Sequence, residues 1–141
     1  MGLSEDEIRE WPRAGRWHLD PQTGHRVRTG DGLMLGDRVT LGDEVTFGDG
    51  VTVGYGVSLG DRVVVGDGTE VGNGVRLGAE VHVGDGVTIG DDAVLGRAAR
   101  VGDGAFIGHR VRIGDGAKVS AGISLPDDTV FPDEASVVAA A

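Results

Sequence analysis

Residues 83–96 read VGDGVTIGDDAVLG. Glycine and aspartate return there too regularly for an ordinary loop. A phosphate-cradling loop, a calcium-binding repeat and a backbone that bends at fixed intervals could each require it. Followed outward, the pattern holds: glycine occupies every sixth position from Gly24 to Gly114, sixteen times in succession. The residue before each glycine is aliphatic from Leu35 to Ile113, apart from Phe47. From Val39 to Ala117 the third residue after it is usually valine, replaced at Thr69, Ala93, Ala99, Ala105 and Ala117. The unit is therefore [LIVF]-G-[D/x]-x-[V/A/T]-x. It continues as VSAGIS, LPDDTV and FPDEAS, with Ser120, Pro126 and Pro132 in the glycine slot.

A phosphate loop occurs once, precedes a helix and ends in Gly-Lys-Ser/Thr. The single lysine here, Lys118, follows Ala117. Calcium-binding nonapeptides repeat every nine residues with paired glycines, and this chain has no Gly-Gly. A six-residue unit with two inward apolar positions suits a short strand followed by a tight bend. Glycine supplies backbone angles that a side chain forbids, and aspartate favours the turn through local hydrogen bonds. The expected class is all-β.

Composition narrows the alternatives. Twenty-seven glycines with only four prolines and no third-residue period exclude collagen. The apolar residues are rich in valine, which argues for strands over disorder. A net charge of −10 disfavours nucleic acid and anionic membrane surfaces as partners. With no cysteine, neither disulfides nor thiol chemistry operates. No apolar run approaches membrane-span length. The opening MGLSEDEIREW is acidic and has no h-region, so no secretion signal is read and a cytoplasmic or particle-associated location is expected.

Over residues 23–137 the units resemble the hexapeptide-repeat family. The resemblance implies a left-handed parallel β-helix with three hexads per coil, and usually a homotrimer. Eighteen hexads make about six 18-residue coils, a prism roughly 29 Å long at ~4.8 Å per strand. Residues 1–22 are expected to form a helix and an arm, and residues 138–141 a short tail.

Folding the sequence at eighteen residues stacks it into columns. The first corner holds Asp31, Asp49, Asp67, Asp85 and Asp103, each followed by glycine. The other two corners are mixed. Arg62, Arg76, Arg97, Arg100, Arg112 and Lys118 gather about the third. The aspartate ladder is a candidate calcium site, since calcium seeks carboxylate oxygens. Repetition of a turn residue is the preferred reading, so no metal and no cofactor are assigned.

Many members of the family that this chain resembles are acyltransferases using acyl-CoA, with a catalytic histidine at a subunit boundary. His82 and His109 are the only candidates among the later coils, and neither has a carboxylate orienter defined by sequence. No hexad is interrupted by a substrate loop. The carbonic-anhydrase branch needs a His-x4-His pair and a third histidine, which His18, His25, His82 and His109 do not provide. The broken threonine column Thr52, Glu70, Thr88, Phe106 excludes an ice-binding face. The expectation is a non-catalytic trimeric structural or assembly module, either part of a larger particle such as a phage or cell-surface apparatus or an idealised designed β-helix. The alternative is an acyl-CoA-dependent acyltransferase. Interface candidates are Val64, Arg76, Val94, Arg100, Phe106 and Arg112, together with Trp11 and Trp17.

The N-terminal segment differs in kind. Ser4 and Glu7 form a capping box, and Leu3 and Ile8 a hydrophobic staple, predicting a helix from about Glu5 to Trp11 before Pro12. An irregular arm should follow, with a turn at Asp20-Pro21. The segment is read as a lid over the first coil or as a docking element for a partner.

Overall fold

The computed structural model describes Ile8, Arg13–Ala14, Trp17–Leu19, residues 25–133 and Ser136–Val137. The first three strands are β1 (Arg13–Ala14), β2 (Trp17–Leu19) and β3 (Arg26–Arg28). Eighteen further short strands follow at six-residue intervals, from Met34–Leu35 to Ser136–Val137. Every strand from β3 onward pairs in parallel with the strand eighteen residues away: Val27 faces Val45, Glu70 faces Thr88, Arg76 faces Val94. The result is a left-handed parallel β-helix of about six coils with one nine-stranded and two six-stranded sheets.

Alternation within each unit builds the core. The valine slot and the aliphatic residue before glycine point inward, while the residue between them points to solvent. One inward column runs Val27, Val45, Val63, Val81, Ala99, Ala117, all fully or almost fully buried. Each buried aliphatic side chain contributes ~1.5–3 kcal/mol relative to exposure, so the stack supplies the main driving force. Thr69 breaks the apolar rule with a buried hydroxyl. It donates to the Gly84 carbonyl at 2.7 Å and accepts from the Val87 N–H at 3.4 Å, which removes the desolvation cost.

Glycine has two separate roles, and the periodic one differs from the expectation. The every-sixth glycine does not adopt a left-handed backbone. It is required because the next coil stands directly against it: a Cβ on Gly72 would lie 2.5 Å from Asp91 Oδ1 and 2.8 Å from the Asp91 amide nitrogen. Ser120, Pro126 and Pro132 take this slot in the last described coil, where no described corner stands over them. The left-handed residue sits two places later, at the second position of each corner. At the first corner it is always glycine, as at Gly86 with φ 65°. At the other corners non-glycine residues accept the same conformation, among them Arg38, Glu44 and Ala98, at ~1–2 kcal/mol apiece.

The N-terminal strands depart from the predicted irregular arm. β1 pairs with β2 and β2 with β3, both antiparallel, so the nine-stranded sheet continues past the first coil. The exposed edge of β3 offers unpaired N–H and C=O groups, and β2 satisfies them. Of the predicted helix, only Ile8 is among the described residues; it is helical and fully buried with the core cluster. Trp11 and the Asp20-Pro21 turn lie outside the described residues, and Trp17 is in β2.

Candidate functional site

The corners are held by side chains reaching along the prism axis. At the first corner the backbone N–H of Asp31, Asp49, Asp67 and Asp85 each donates to Oδ1 of the aspartate eighteen residues later, at 2.8 Å. Asp103 ends that run, because Ala121 stands where its acceptor would be. The second corner does the same with mixed chemistry: Tyr55 to Asn73, Asn73 to Asp91, Asp91 to His109, and His109 to Asp127. The candidate calcium ladder is thus a ladder of coil-to-coil hydrogen bonds. Among the described residues no three His, Asp or Glu side chains converge as metal ligands. The notion that each aspartate serves its own turn is also replaced, since its Oδ1 serves the coil before it.

This geometry separates the two histidines. His109 occupies an aspartate position, and its Nδ1 accepts the Asp91 N–H at 2.8 Å. In the neutral ring Nε2 then carries the proton, so His109 is a structural acceptor and cannot offer Nε2 as a base. His82 is exposed on the nine-stranded sheet between Val64 and Arg100, and its ring makes no hydrogen bond or ion pair among the described residues. His25 lies in the first coil with Nδ1 3.2 Å from the Leu41 carbonyl, and His18 is buried opposite Val27. His82 alone therefore has a ring free for chemistry among the histidines of the later coils.

The arginines divide in the same way. Arg62 and Arg97 both approach Glu80 Oε1, at 3.4 and 3.6 Å, and Arg110 forms a two-point pair with Asp128. That guanidinium holds the Asp128 carboxyl below the usual carboxylate range, and the carboxylate raises Arg110 in return. Arg76, Arg100, Arg112 and Lys118 are exposed with no ion pair within the described chain. Arg76 and Arg112 lie on one side of the third corner, Arg100 and Lys118 on the other. Close by is an open depression of about 540 Å³ lined by Arg97, Ala98, Asp115, Gly116 and Asp133. Its size is that of a small-molecule site, but it is shallow and carries two carboxylates.

The remaining interface candidates are scattered over the faces. Val64 is half-buried beside His82, Val94 lies between Arg76 and Arg112, and Phe106 stands on another face, 47% exposed. These three apolar residues do not form one patch.

An uninterrupted three-sided coil with hydrogen-bonded corner ladders defines a hexapeptide-type solenoid. Models of that type match most of the coil: "bacterial transferase hexapeptide (six repeats)" over residues 68–97, and "hexapeptide repeat of succinyl-transferase" over 38–71 and 98–126. The chain belongs to the hexapeptide-repeat family. A comparison with curated proteins finds no match. Among solved structures, a histidine-to-alanine mutant of GDP-perosamine N-acetyltransferase from Caulobacter crescentus, in complex with CoA and GDP-perosamine, is 27% identical with a TM-score of 0.74. The match covers 78% of this chain and 51% of that one. PerB from the same organism, also with CoA and GDP-perosamine, gives 28% and 0.72, covering 76% and 51%. The acetyltransferase domain of PglB from Neisseria gonorrhoeae gives 23% and 0.73, covering 78% and 53%, a likeness of fold. The chain spans about half the length of these proteins.

These similarities overturn the expectation of a non-catalytic structural or assembly module. That expectation leaned on the lack of an inserted loop. Its weakness is physical: outward residues on a plain face, such as His82 and the unpaired cations, already present chemistry without an insertion.

Proposed function

We propose that this chain is the β-helix of an acyltransferase that moves an acyl group from a coenzyme A thioester to an amine, with His82 as general base. The likeness to CoA-bound N-acetyltransferases at 27–28% identity carries this reading. Support comes from the free ring of His82 and from the unpaired Arg100 and Lys118 on the next strands of the same sheet. Arginine and lysine suit the phosphates of a CoA donor.

In the reaction the amine nitrogen attacks the thioester carbonyl, the C–N bond forms and the C–S bond breaks. His82 takes the proton lost by nitrogen and returns it to the departing thiolate. A homotrimer belongs to the same reading. A threefold ring joins two different surfaces of each subunit, and the acidic first corner and cationic third corner are complementary. Such a ring would bring a neighbour's face beside His82.

Titration calorimetry with acetyl-CoA and CoA, with thiol release measured over a panel of amines, tests the proposal. His82→Ala should lower turnover by ~10²–10⁴-fold with CoA affinity little changed. His109→Ala should leave the chemical step intact. Absence of saturable CoA binding by the unaltered chain would sink the reading.

A further inference from the structure

The third corner breaks the hydrogen-bond ladder in its middle. Arg26 and Asp43 donate upward to Asp43 and Asp61, and Arg97 and Asp115 donate to Asp115 and Asp133. Between them, Asp61 lies below Ala79 and Ala79 below Arg97, and neither side chain can accept. Among the described residues the N–H groups of Asp61 and Ala79 have no acceptor. The space is correspondingly empty of carboxylate. Above Gly48, Gly66 and Gly84 the nearest atom to an added Cβ is an aspartate Oδ1, whereas above Gly60 and Gly78 the nearest atoms are all backbone, of Gly78 and Ala79 and of Gly96 and Arg97. Single breaks occur elsewhere, at Asp37 below Tyr55 and at Asp103 below Ala121. Among the described corners with a coil above them, only the third leaves two N–H donors open on consecutive coils.

The geometry points to this double break as an anion site that takes a phosphoryl group. Each oxygen of the ligand would stand where a corner carboxylate stands elsewhere, receiving one N–H from each of two coils ~4.8 Å apart. Arg62 and Arg97 sit on the corner itself, and the unpaired Arg76 and Arg100 lie on the adjoining faces. These four cations exceed the three local carboxylates, Asp61, Glu80 and Asp115, although the whole chain carries −10. Glu80 reaches both corner arginines only at 3.4 and 3.6 Å, weak contacts that a phosphate would displace. The inference stands on corner geometry and does not depend on acyl transfer.

Supplying the missing acceptor tests it. Ala79→Asp places a carboxylate over the Asp61 N–H, filling one of the two gaps and occupying the space between the coils. Ala79→Asn does the same without charge, and Ala121→Asp completes the first corner as a control. Calorimetry uses inorganic phosphate, CoA and pantetheine, which lacks phosphate. The unaltered chain should bind phosphate and CoA. Both Ala79 variants should melt higher yet bind these ligands at least tenfold more weakly, with pantetheine unaffected. Ala121→Asp should melt higher and bind normally. Unchanged phosphate affinity in Ala79→Asn would remove the N–H donors from the proposal. Equal weakening by Ala121→Asp, or no phosphate binding by the unaltered chain, would overturn it. CoA binding indifferent to Ala79 would leave acyl transfer standing and the anion site refuted; phosphate binding without CoA binding would do the reverse.

Discussion

The first and third corners are built from the same six-residue unit and differ in what the unit was left free to do. At the first corner, glycine takes the left-handed position in all six coils and aspartate takes the acceptor position in five. Nothing there is strained, and four of its five aspartate N–H groups are satisfied by the coil above. At the third corner, Glu44, Arg62, Glu80 and Ala98 hold the left-handed conformation at a cost, and two N–H donors are open. The uniform edge is optimised for folding. The irregular edge gathers the free cations, the exposed His82 and the unfilled donors, and so is where binding is expected.

The largest expected effect separates the two glycine roles. Gly66→Ala puts a Cβ 2.5 Å from the backbone of Gly84, which cannot yield without separating coils. A loss of ~3 kcal/mol or more is expected, read from denaturant unfolding. Gly86→Ala meets nothing within 4 Å and should cost only the left-handed backbone, ~1–2 kcal/mol. Equal losses would show that contact between coils is not what selects the periodic glycine.

A smaller effect probes the ladder itself. Asp67→Ala removes the acceptor of the Asp49 N–H at an exposed corner, and ~1 kcal/mol should be lost. If the melting temperature does not move, the ladder follows from the fold and does not support it.

The smallest effect is a pH dependence at the start of the third corner. Asp43 accepts the Arg26 N–H at 2.8 Å, and this bond, reinforced by the Arg26 guanidinium at 3.6 Å, holds its carboxyl below the ordinary 3.8. A depressed folded value means that the stabilisation is complete above the unfolded value and is lost as pH falls through the folded one. Asp43→Asn should therefore be slightly less stable than the unaltered chain at neutral pH, and the gap should close below about pH 4. The pair is partly exposed and solvent-screened, so the difference is small. Melting curves at several pH values check it; a gap independent of pH would remove the charge from the account.

The fold was legible because its cause is local and repeated. Sixteen glycines at one spacing, with valine and leucine at fixed offsets, specify strand, bend and inward face without any long-range information. The coil count and the burial of columns such as Val45, Val63 and Val81 follow directly. The candidate site was legible only in outline. His82 and the arginines about the third corner stand out in the folded columns, but His82 and His109 look alike as letters. The lack of an inserted loop says little about function, because exposed residues on the plain faces carry chemistry without one.

By itself the sequence determined the period, and through it the β-helix, since a six-residue alternation of inward and outward positions has few other ways to bury its valines. Tertiary structure decided which groups satisfy one another across coils. An amide nitrogen finds its acceptor eighteen residues away, at a distance set by the stacking of strands. Only when the coils are in register does one histidine become a structural acceptor while the other keeps an exposed ring with no partner among the described residues. The same stacking leaves two N–H groups on one edge without an acceptor, because the side chains above them, Ala79 and Arg97, carry no oxygen to offer.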